Sequence, residues 1–126
     1  MSKIMLVDDE PDILLLVGEM LRGEGYDVVE VKSGVECLEN IKREKPDLVL
    51  LDIMMQDIDG WEVCKKIKED AETKDIPVAM LTVRTSEESK IKSFNYSSAD
   101  AHIDKPFDKE ELFSIIEGLL KERGKE

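Results

Sequence analysis

The chain has 126 residues and a net charge of −12 at pH 7, and these two values already limit its function. A chain of this length forms one domain with a core of its own. Broad contact with nucleic acid or with an anionic membrane needs basic patches, so the charge argues against both and favours cationic partners.

Targeting signals and cysteine usage point to a cytoplasmic protein. The N-terminus has no signal-peptide pattern, and no apolar run approaches the roughly 20 residues of a membrane span. Cys37 and Cys64 lie in helical patterns without CxxC or Cys/His metal spacing. We therefore expect two reduced thiols in or near the core.

Five short apolar runs, rich in Val, Ile and Leu, predict five strands that are buried on both faces. In chain order they are Lys3–Val7, Asp27–Val31, Asp47–Leu51, Pro77–Leu81 and Ala101–Asp104. Stretches of about 10–15 residues with helical periodicity separate them. This alternation predicts an α/β fold with parallel strands, right-handed crossovers and helices on both faces of the sheet.

Capping signals mark where the intervening helices begin. Pro11 suits a first helical position. Four further starts have the spacing of a capping box or its Asp variant: Ser33 with Glu36, Asp59 with Glu62, Thr85 with Glu88, and Asp108 with Glu111. The helix predicted over about 86–96 carries few apolar residues, so we expect it to be the most mobile element.

The first and last helices have clear apolar faces. The first is expected to end at Gly23–Gly25 and to bury Ile13, Leu16, Val17, Met20 and Leu21. The last is expected to bury Leu112, Ile115, Ile116, Leu119 and Leu120. The polar tail over 121–126 is expected to fray.

Polar residues close four of the five strands. Asp8 and Asp9 follow the first, Asp52 the third, Thr82 the fourth, and Lys105 the fifth. Carboxyl ends of parallel strands share one edge, and ligands of open α/β sheets bind just outside it. Carboxylates, a hydroxyl and an ammonium at one edge can hold a divalent cation together with a phosphoryl group.

Each of these signals has a plainer interpretation when taken alone. Adjacent Asp8 and Asp9 repel each other and call for a cation such as Mg²⁺, or they form an exposed acidic turn. Asp52 is a candidate phosphoryl acceptor, or a strand-end Asp. Thr82 can donate to a phosphoryl oxygen, or it is an ordinary β-branched strand residue. Lys105 can neutralise phosphoryl charge, or Lys105–Pro106 is simply a loop. The joint pattern favours the functional interpretation.

The motifs that carry this pattern resemble the receiver domain of two-component response regulators. They are Ile4–Glu10, Leu51–Met55 with Asp59–Gly60, Pro77–Thr82 and Lys105–Phe107. The resemblance covers about Lys3 to Leu120. It implies a flavodoxin-like (βα)5 doubly wound fold with strand order 2-1-3-4-5. It also implies a single receiver domain over 1–126, of the stand-alone type with no output domain.

The resemblance assigns roles to the residues at the strand ends. Asp52 would accept a phosphoryl group from the phosphohistidine of a sensor histidine kinase or phosphotransfer protein. Asp9, Asp52 and the backbone carbonyl of Met54 would ligate Mg²⁺, with Mn²⁺ as a substitute, and Asp8 would assist through water. Thr82 and Lys105 would grip the phosphoryl group. The protein would be a signalling protein that catalyses its own phosphorylation and dephosphorylation, rather than an enzyme.

The resemblance also implies how the signal leaves the domain. Thr82 and His102 would switch a face formed by the fourth predicted helix, the fifth strand and the last helix. That face would bind a downstream target protein, in a monomer or a phosphorylation-dependent dimer, with no direct contact to nucleic acid or membrane. His102 replaces the usual Tyr or Phe, either as a passive packing substitute or as a weakened or pH-sensitive switch. Gln56 replaces a usual proline, which should loosen the loop after Asp52.

Three other functions remain to be weighed. A haloacid-dehalogenase-type enzyme needs a second Asp two residues after Asp52, where Met54 stands. A flavodoxin needs a Ser/Thr/Gly-rich phosphate loop after the first strand, where this chain has the acidic run Asp8–Asp12. The main alternative is a silent receiver that serves as a binding module without being phosphorylated.

Overall fold

The computed structural model describes residues 2–53, 55–82, 99–104 and 107–122, without the side chains of Thr82 and Asp104. The described strands form one parallel sheet in the order β2-β1-β3-β4-β5, as predicted. They are β1 Lys3–Val7, β2 Asp27–Val31, β3 Leu48–Asp52, β4 Val78–Thr82 and β5 Ala101–Asp104.

Two strands begin and end one residue later than predicted. β3 includes Asp52, which pairs with Leu81, and β4 includes Thr82, which pairs with Asp104. At the other end of β3, Asp47 turns its carboxylate back to accept the amide of Lys3 at 2.8 Å. The extra residues at the carboxyl ends belong to the ladder, so the backbone under the candidate site is fixed by sheet hydrogen bonds.

The helices begin where the capping signals predict. They are α1 Pro11–Gly23, α2 Gly34–Glu44, α3 Gly60–Glu69 and a C-terminal helix Lys109–Glu122. The side chains of Ser33, Asp59 and Asp108 accept the amides of Glu36, Glu62 and Glu111, respectively. The predicted cap at Thr85 and the helix predicted over 86–96 lie outside the described residues. Among the described helices, none has the length and apolar character needed to cross a membrane.

Two apolar layers cover the faces of the sheet. Met5 and Val7 of β1 point into the layer under α2 and α3, whereas Ile4 and Leu6 point into the layer under α1 and the C-terminal helix. This alternation is the two-residue period of a strand buried on both sides. The strands therefore form a rigid base from which the strand-end residues project.

The buried face of α1 corrects one sequence prediction. Leu16 is 58% exposed, whereas Leu14 is buried with Val17 and Leu21. Spacings of three and four residues place Leu14, Val17 and Leu21 on one side of the helix, and Leu16 lies away from that side. In the C-terminal helix, Leu112, Ile116 and Leu120 are fully buried, and Ile115 and Leu119 pack at the margin.

Both cysteines are buried thiols that form no disulfide, as expected from the sequence. Burial raises the pKa of the Cys37 thiol to about 12, and the neighbouring Cys64 adds to the effect. The Cys37 thiol lies 3.8 Å from the sulfur of Met5 inside the core. Since the thiolate is the reactive form, the raised pKa makes Cys37 unreactive in the folded protein at neutral pH.

Candidate functional site

Three carboxylates meet at the carboxyl edge of the sheet. Asp8, Asp9 and Asp52 each offer an oxygen, and these oxygens lie within 4.8 Å of one another. Asp8 is fully buried, Asp52 is 5% exposed, and Asp9 is half-buried. Asp8 and Asp9 are therefore not the exposed acidic turn that the sequence left open.

The sheet register explains why Asp8 and Asp52 are neighbours. Val7, the last residue of β1, pairs with Leu51 of β3, so the next residue of each strand reaches the same level. The amide of Asp8 continues the pairing with β2 by donating to the carbonyl of Val31 at 3.1 Å. The two carboxylates thus sit on adjacent strands as a consequence of backbone pairing.

Local hydrogen bonding turns the chain away from the sheet after Asp8. The Oδ1 atom of Asp8 accepts the amide of Glu10 at 2.9 Å, which is an Asx-type turn. Pro11 then begins α1. This turn leaves Asp9 between the strand and the helix, where it is only partly covered.

The loop after Asp52 is closed at its base by backbone contacts. The carbonyl of Ile53 accepts the amides of Met55 at 3.2 Å and Gly60 at 2.9 Å. A Cβ atom on Gly60 would lie 2.5 Å from the Asp52 carbonyl oxygen and 2.7 Å from the Ile53 Cα atom. Glycine at position 60 therefore lets the start of α3 touch the backbone of the acceptor strand.

Asp57, a residue that the sequence reasoning missed, links this loop to another helix. Its Oδ1 atom accepts the amide of Gly34 at 3.2 Å, and its Oδ2 atom accepts the amide of Val35 at 2.9 Å. Partial desolvation raises the pKa of Asp57, but backbone N–H groups, those of Val35, Ile58 and Gly34 among them, outweigh it and hold the pKa below its usual value. The partner amides lie 22 and 23 residues away along the chain, so no local sequence motif predicts the contact.

The gathered carboxylates determine what the site can bind. Three negative groups at such short range repel one another, and a divalent cation relieves that repulsion. Hard oxygen donors, one of them still open to solvent, match the preference of Mg²⁺ for one or two carboxylates plus retained waters. The donor set therefore fits a divalent metal ion placed beside Asp52.

The remaining predicted site residues are only partly described. Thr82 is the last residue of β4, but its side chain is outside the described part of the chain. Met54 and Lys105 also lie outside the described residues. His102 is half-buried in β5, where it pairs with Met80.

Comparison with known proteins extends over nearly the whole chain. The family model described as the response regulator receiver domain matches residues 4–117. The DNA-binding dual master transcriptional regulator RpaA of Synechocystis sp. is 39% identical over 121 residues, which are 96% of this chain and 50% of that protein. Protein PilH of Pseudomonas aeruginosa is 32% identical over 120 residues, covering 95% of this chain and 98% of that protein.

The fold is equally well matched among solved structures. The crystal structure of a CheY-like response regulator receiver domain protein from Methanospirillum hungatei superposes with a TM-score of 0.90 at 32% identity, covering 99% of this chain and 98% of that one. The chain spans about half the length of RpaA and of several other curated relatives. With a family model and relatives that agree from β1 to the C-terminal helix, the chain belongs to the response regulator receiver domains, the signalling domains of two-component systems.

Proposed function

We propose that Asp52 accepts a phosphoryl group, in a Mg²⁺-dependent reaction, from the phosphohistidine of a sensor kinase or phosphotransfer protein. An Asp52 oxygen forms the new bond to phosphorus, and the bond from phosphorus to the imidazole nitrogen breaks with the electron pair left on nitrogen. The observation that carries this proposal is the meeting of Asp8, Asp9 and Asp52 within 4.8 Å at the edge of the sheet.

The three carboxylates would have different roles, and Asp52 would be both the acceptor and a metal ligand. Asp9 and Asp52 would ligate Mg²⁺ together with the carbonyl of Met54, and the fully buried Asp8 would act through a bound water. The metal, when bound, offsets the repulsion between Asp52 and the incoming phosphoryl oxygens. Self-catalysed dephosphorylation would use the same site with water as the attacking group.

Thr82 and Lys105 would hold the transferred phosphoryl group. The register supports their placement, because Asp52 pairs with Leu81 and Thr82 follows directly on the neighbouring strand. Thr82 in turn pairs with Asp104, the residue before Lys105. A hydroxyl and an ammonium at these positions would share the charge of a phosphoryl group on Asp52.

Receiver domains interact with histidine kinases or phosphotransfer proteins, and the output of this one would be a change in protein binding. Engagement of Thr82 by phosphate would shift His102 and the surface around β5, favouring one of two conformations for a target protein or a second copy. The net charge of −12 favours cationic protein partners over nucleic acid. Two buried cysteines that form no disulfide are consistent with our proposal of a cytoplasmic setting. If His102→Tyr left target affinity and its pH dependence unchanged, His102 would have no part in the switch.

The proposal is tested by intact mass after incubation with Mg²⁺ and acetyl phosphate. Wild type should gain about 80 Da, one phosphoryl group, and Asp52→Ala should gain nothing. Asp27→Ala is a matched control, because it removes an exposed aspartate from the far end of β2 and should leave the gain intact. The same test with EDTA in place of Mg²⁺ should abolish the gain in wild type.

A silent receiver would give a different set of results. Wild type would then stay unmodified both with acetyl phosphate and with a phosphorylated histidine kinase as donor. A gain of equal size in wild type and Asp52→Ala would place the acceptor elsewhere. Either result would overturn the proposal for Asp52.

A further inference from the structure

We propose that Asp57 is a positioning residue for the metal site: its carboxylate, held by the first amides of α2, fixes the loop 53–59 that follows the acceptor. This inference rests on the proposed function, since it concerns how the site for Mg²⁺ and phosphate is kept in shape. Asp57 would touch neither the metal nor the phosphoryl group. It would act through the backbone on either side of it.

The contact between Asp57 and α2 is a two-point attachment. Its two carboxylate oxygens take different amides, those of Gly34 at 3.2 Å and Val35 at 2.9 Å. Both amides belong to the first turn of α2, where helix donors have no intrahelical partner and the helix dipole favours a negative charge. A carboxylate held at two points has little freedom to rotate, so it fixes the position of its own backbone.

Asp57 and Ser33 share the capping of α2. The hydroxyl oxygen of Ser33 accepts the amide of Glu36 at 3.1 Å, which leaves the two preceding amides to Asp57. Ser33 caps from within its own helix start, whereas Asp57 caps from the loop after Asp52. Of these two caps, the Asp57 contact is the one that connects α2 to the loop after Asp52.

Close packing supports the same connection. A Cβ atom on Gly34 would lie 2.7 Å from the Val63 Cγ2 atom and 3.1 Å from the carbonyl oxygen of Ile58. The start of α2 thus lies directly against the residue after Asp57 and against α3. The loop is held at its base by the Ile53–Gly60 hydrogen bond and at its tip by Asp57 on α2.

This attachment should matter most for metal binding. Ligands that are already ordered cost less to bind than ligands that must be ordered at the moment of binding. The loop begins directly after Asp52, which is a proposed metal ligand and a member of the carboxylate cluster. Releasing its tip should therefore weaken Mg²⁺ binding while leaving the chemistry at saturating Mg²⁺ unchanged.

The test compares Mg²⁺ affinity in wild type, Asp57→Ala, Asp57→Asn and Ser33→Ala. Trp61 is the only tryptophan, is 8% exposed and directly follows Gly60, so its fluorescence can report the titration. Asp57→Ala should raise the dissociation constant on the order of 10-fold, as loss of a partner beyond the direct ligands commonly does. Asp57→Asn keeps one acceptor oxygen and should fall between wild type and Asp57→Ala.

Ser33→Ala is the matched control for α2 itself. It removes a capping bond from the same helix turn but does not touch the loop, so its Mg²⁺ affinity should equal that of wild type. The rate of phosphorylation by acetyl phosphate should return to the wild-type value in Asp57→Ala once Mg²⁺ is saturating. That recovery is expected of a positioning residue and not of a direct participant.

The outcomes separate this inference from the proposed function. If wild type shows neither a Mg²⁺ titration nor a mass gain, the proposed function fails. If wild type shows both and Asp57→Ala binds Mg²⁺ equally well, or Ser33→Ala weakens binding as much, the positioning role is overturned. A loss in Asp57→Ala that disappears in about 0.5 M KCl would also overturn it, because the effect would then be long-range charge.

Discussion

The two ends of the sheet use the same kinds of side chain in opposite ways. At the amino end, carboxylates meet lysines: Lys68 lies 2.7 Å from Asp100, and Lys3 lies 3.5 Å from Glu44. At the carboxyl end, three carboxylates gather within 4.8 Å of one another. Opposite charges attract each other without any added ligand, whereas like charges raise the energy of the fold until a cation binds. Lysine–carboxylate pairs and the proposed metal site thus lie at opposite ends of the same strands.

The largest change in the free energy of unfolding is expected from Lys68→Met, which removes the contacts of Lys68 at the amino end of the sheet. The Lys68 side chain is 14% exposed, and its ammonium donates to the carbonyls of Ile76 at 2.7 Å and Lys74 at 3.2 Å as well as pairing with Asp100. Met keeps much of the stem but leaves these acceptors without that donor. We expect a loss of about 2–3 kcal/mol in the free energy of unfolding, measured by urea denaturation.

The contrast between the two ends also predicts that Lys68→Met leaves metal binding unchanged. Mg²⁺ affinity should stay at the wild-type value, because Lys68 lies at the opposite edge of the sheet from Asp52. A variant that lost both stability and Mg²⁺ affinity in the folded state would show that the two ends are coupled. The hypothesis that stability and metal binding depend on different ends of the sheet would then be wrong.

Asp8→Asn, at the carboxyl end of the sheet, is expected to increase the free energy of unfolding instead of lowering it. Asn is nearly isosteric and still accepts the amide of Glu10, but it removes one charge from the carboxylate cluster. Without Mg²⁺ the variant should be more stable than wild type by about 1–2 kcal/mol, given the Coulomb repulsion between charges at this range. Its stabilisation by added Mg²⁺ should be smaller than that of wild type.

Urea unfolding in EDTA and in excess Mg²⁺ measures both effects of Asp8→Asn. Asp47→Asn provides a matched control, since Asp47 lies at the amino end of β3 and its carboxylate accepts the Lys3 amide. The control should gain no stability in EDTA. A destabilised Asp8→Asn in EDTA would mean that the three carboxylates do not repel one another appreciably.

Asp57 is expected to make a smaller contribution to the free energy of unfolding, and this contribution depends on pH. The pKa of Asp57 in the folded protein lies below the usual 3.8, so its ionised carboxylate stabilises the fold at pH values above 3.8. This contribution is lost as the pH falls through the lower, folded pKa. In Asp57→Asn, the free energy of unfolding should fall less steeply with pH between about pH 5 and pH 3 than in wild type. Parallel curves for the two proteins would contradict the amide contacts as the cause.

Most of the fold was predictable because its signals are local. Apolar runs of about five residues gave the strands, and capping residues such as Ser33 and Asp59 gave the helix starts. The burial of α1 was predicted less well. Leu14, Leu15 and Leu16 are consecutive and equally apolar, so only packing against the sheet decides which one is buried.

The site was predictable only as far as strand ends define it. Asp8, Asp9 and Asp52 follow apolar runs, and parallel pairing brings them together. Asp57 and Lys68 escaped notice for a physical reason: their partners are distant in sequence. Asp57 caps a helix that begins 23 residues earlier, and Lys68 pairs with Asp100, which lies 32 residues later in the chain. Contacts of this kind follow from the tertiary fold and not from any local pattern.

The smallest effect is expected from Lys42→Met, which tests whether burial or mere proximity makes the amino end stable. Lys42 lies 2.8 Å from Asp70, almost the same distance as the 2.7 Å between Lys68 and Asp100, but its side chain is 50% exposed. Its side-chain hydrogen bond with Asp70 raises the pKa of Lys42, yet exposed pairs of this kind are screened by water and salt. The urea midpoint should therefore match that of wild type within experimental error. A loss as large as that in Lys68→Met would show that distance alone sets the strength of these pairs, and the contrast between the two lysines would fail.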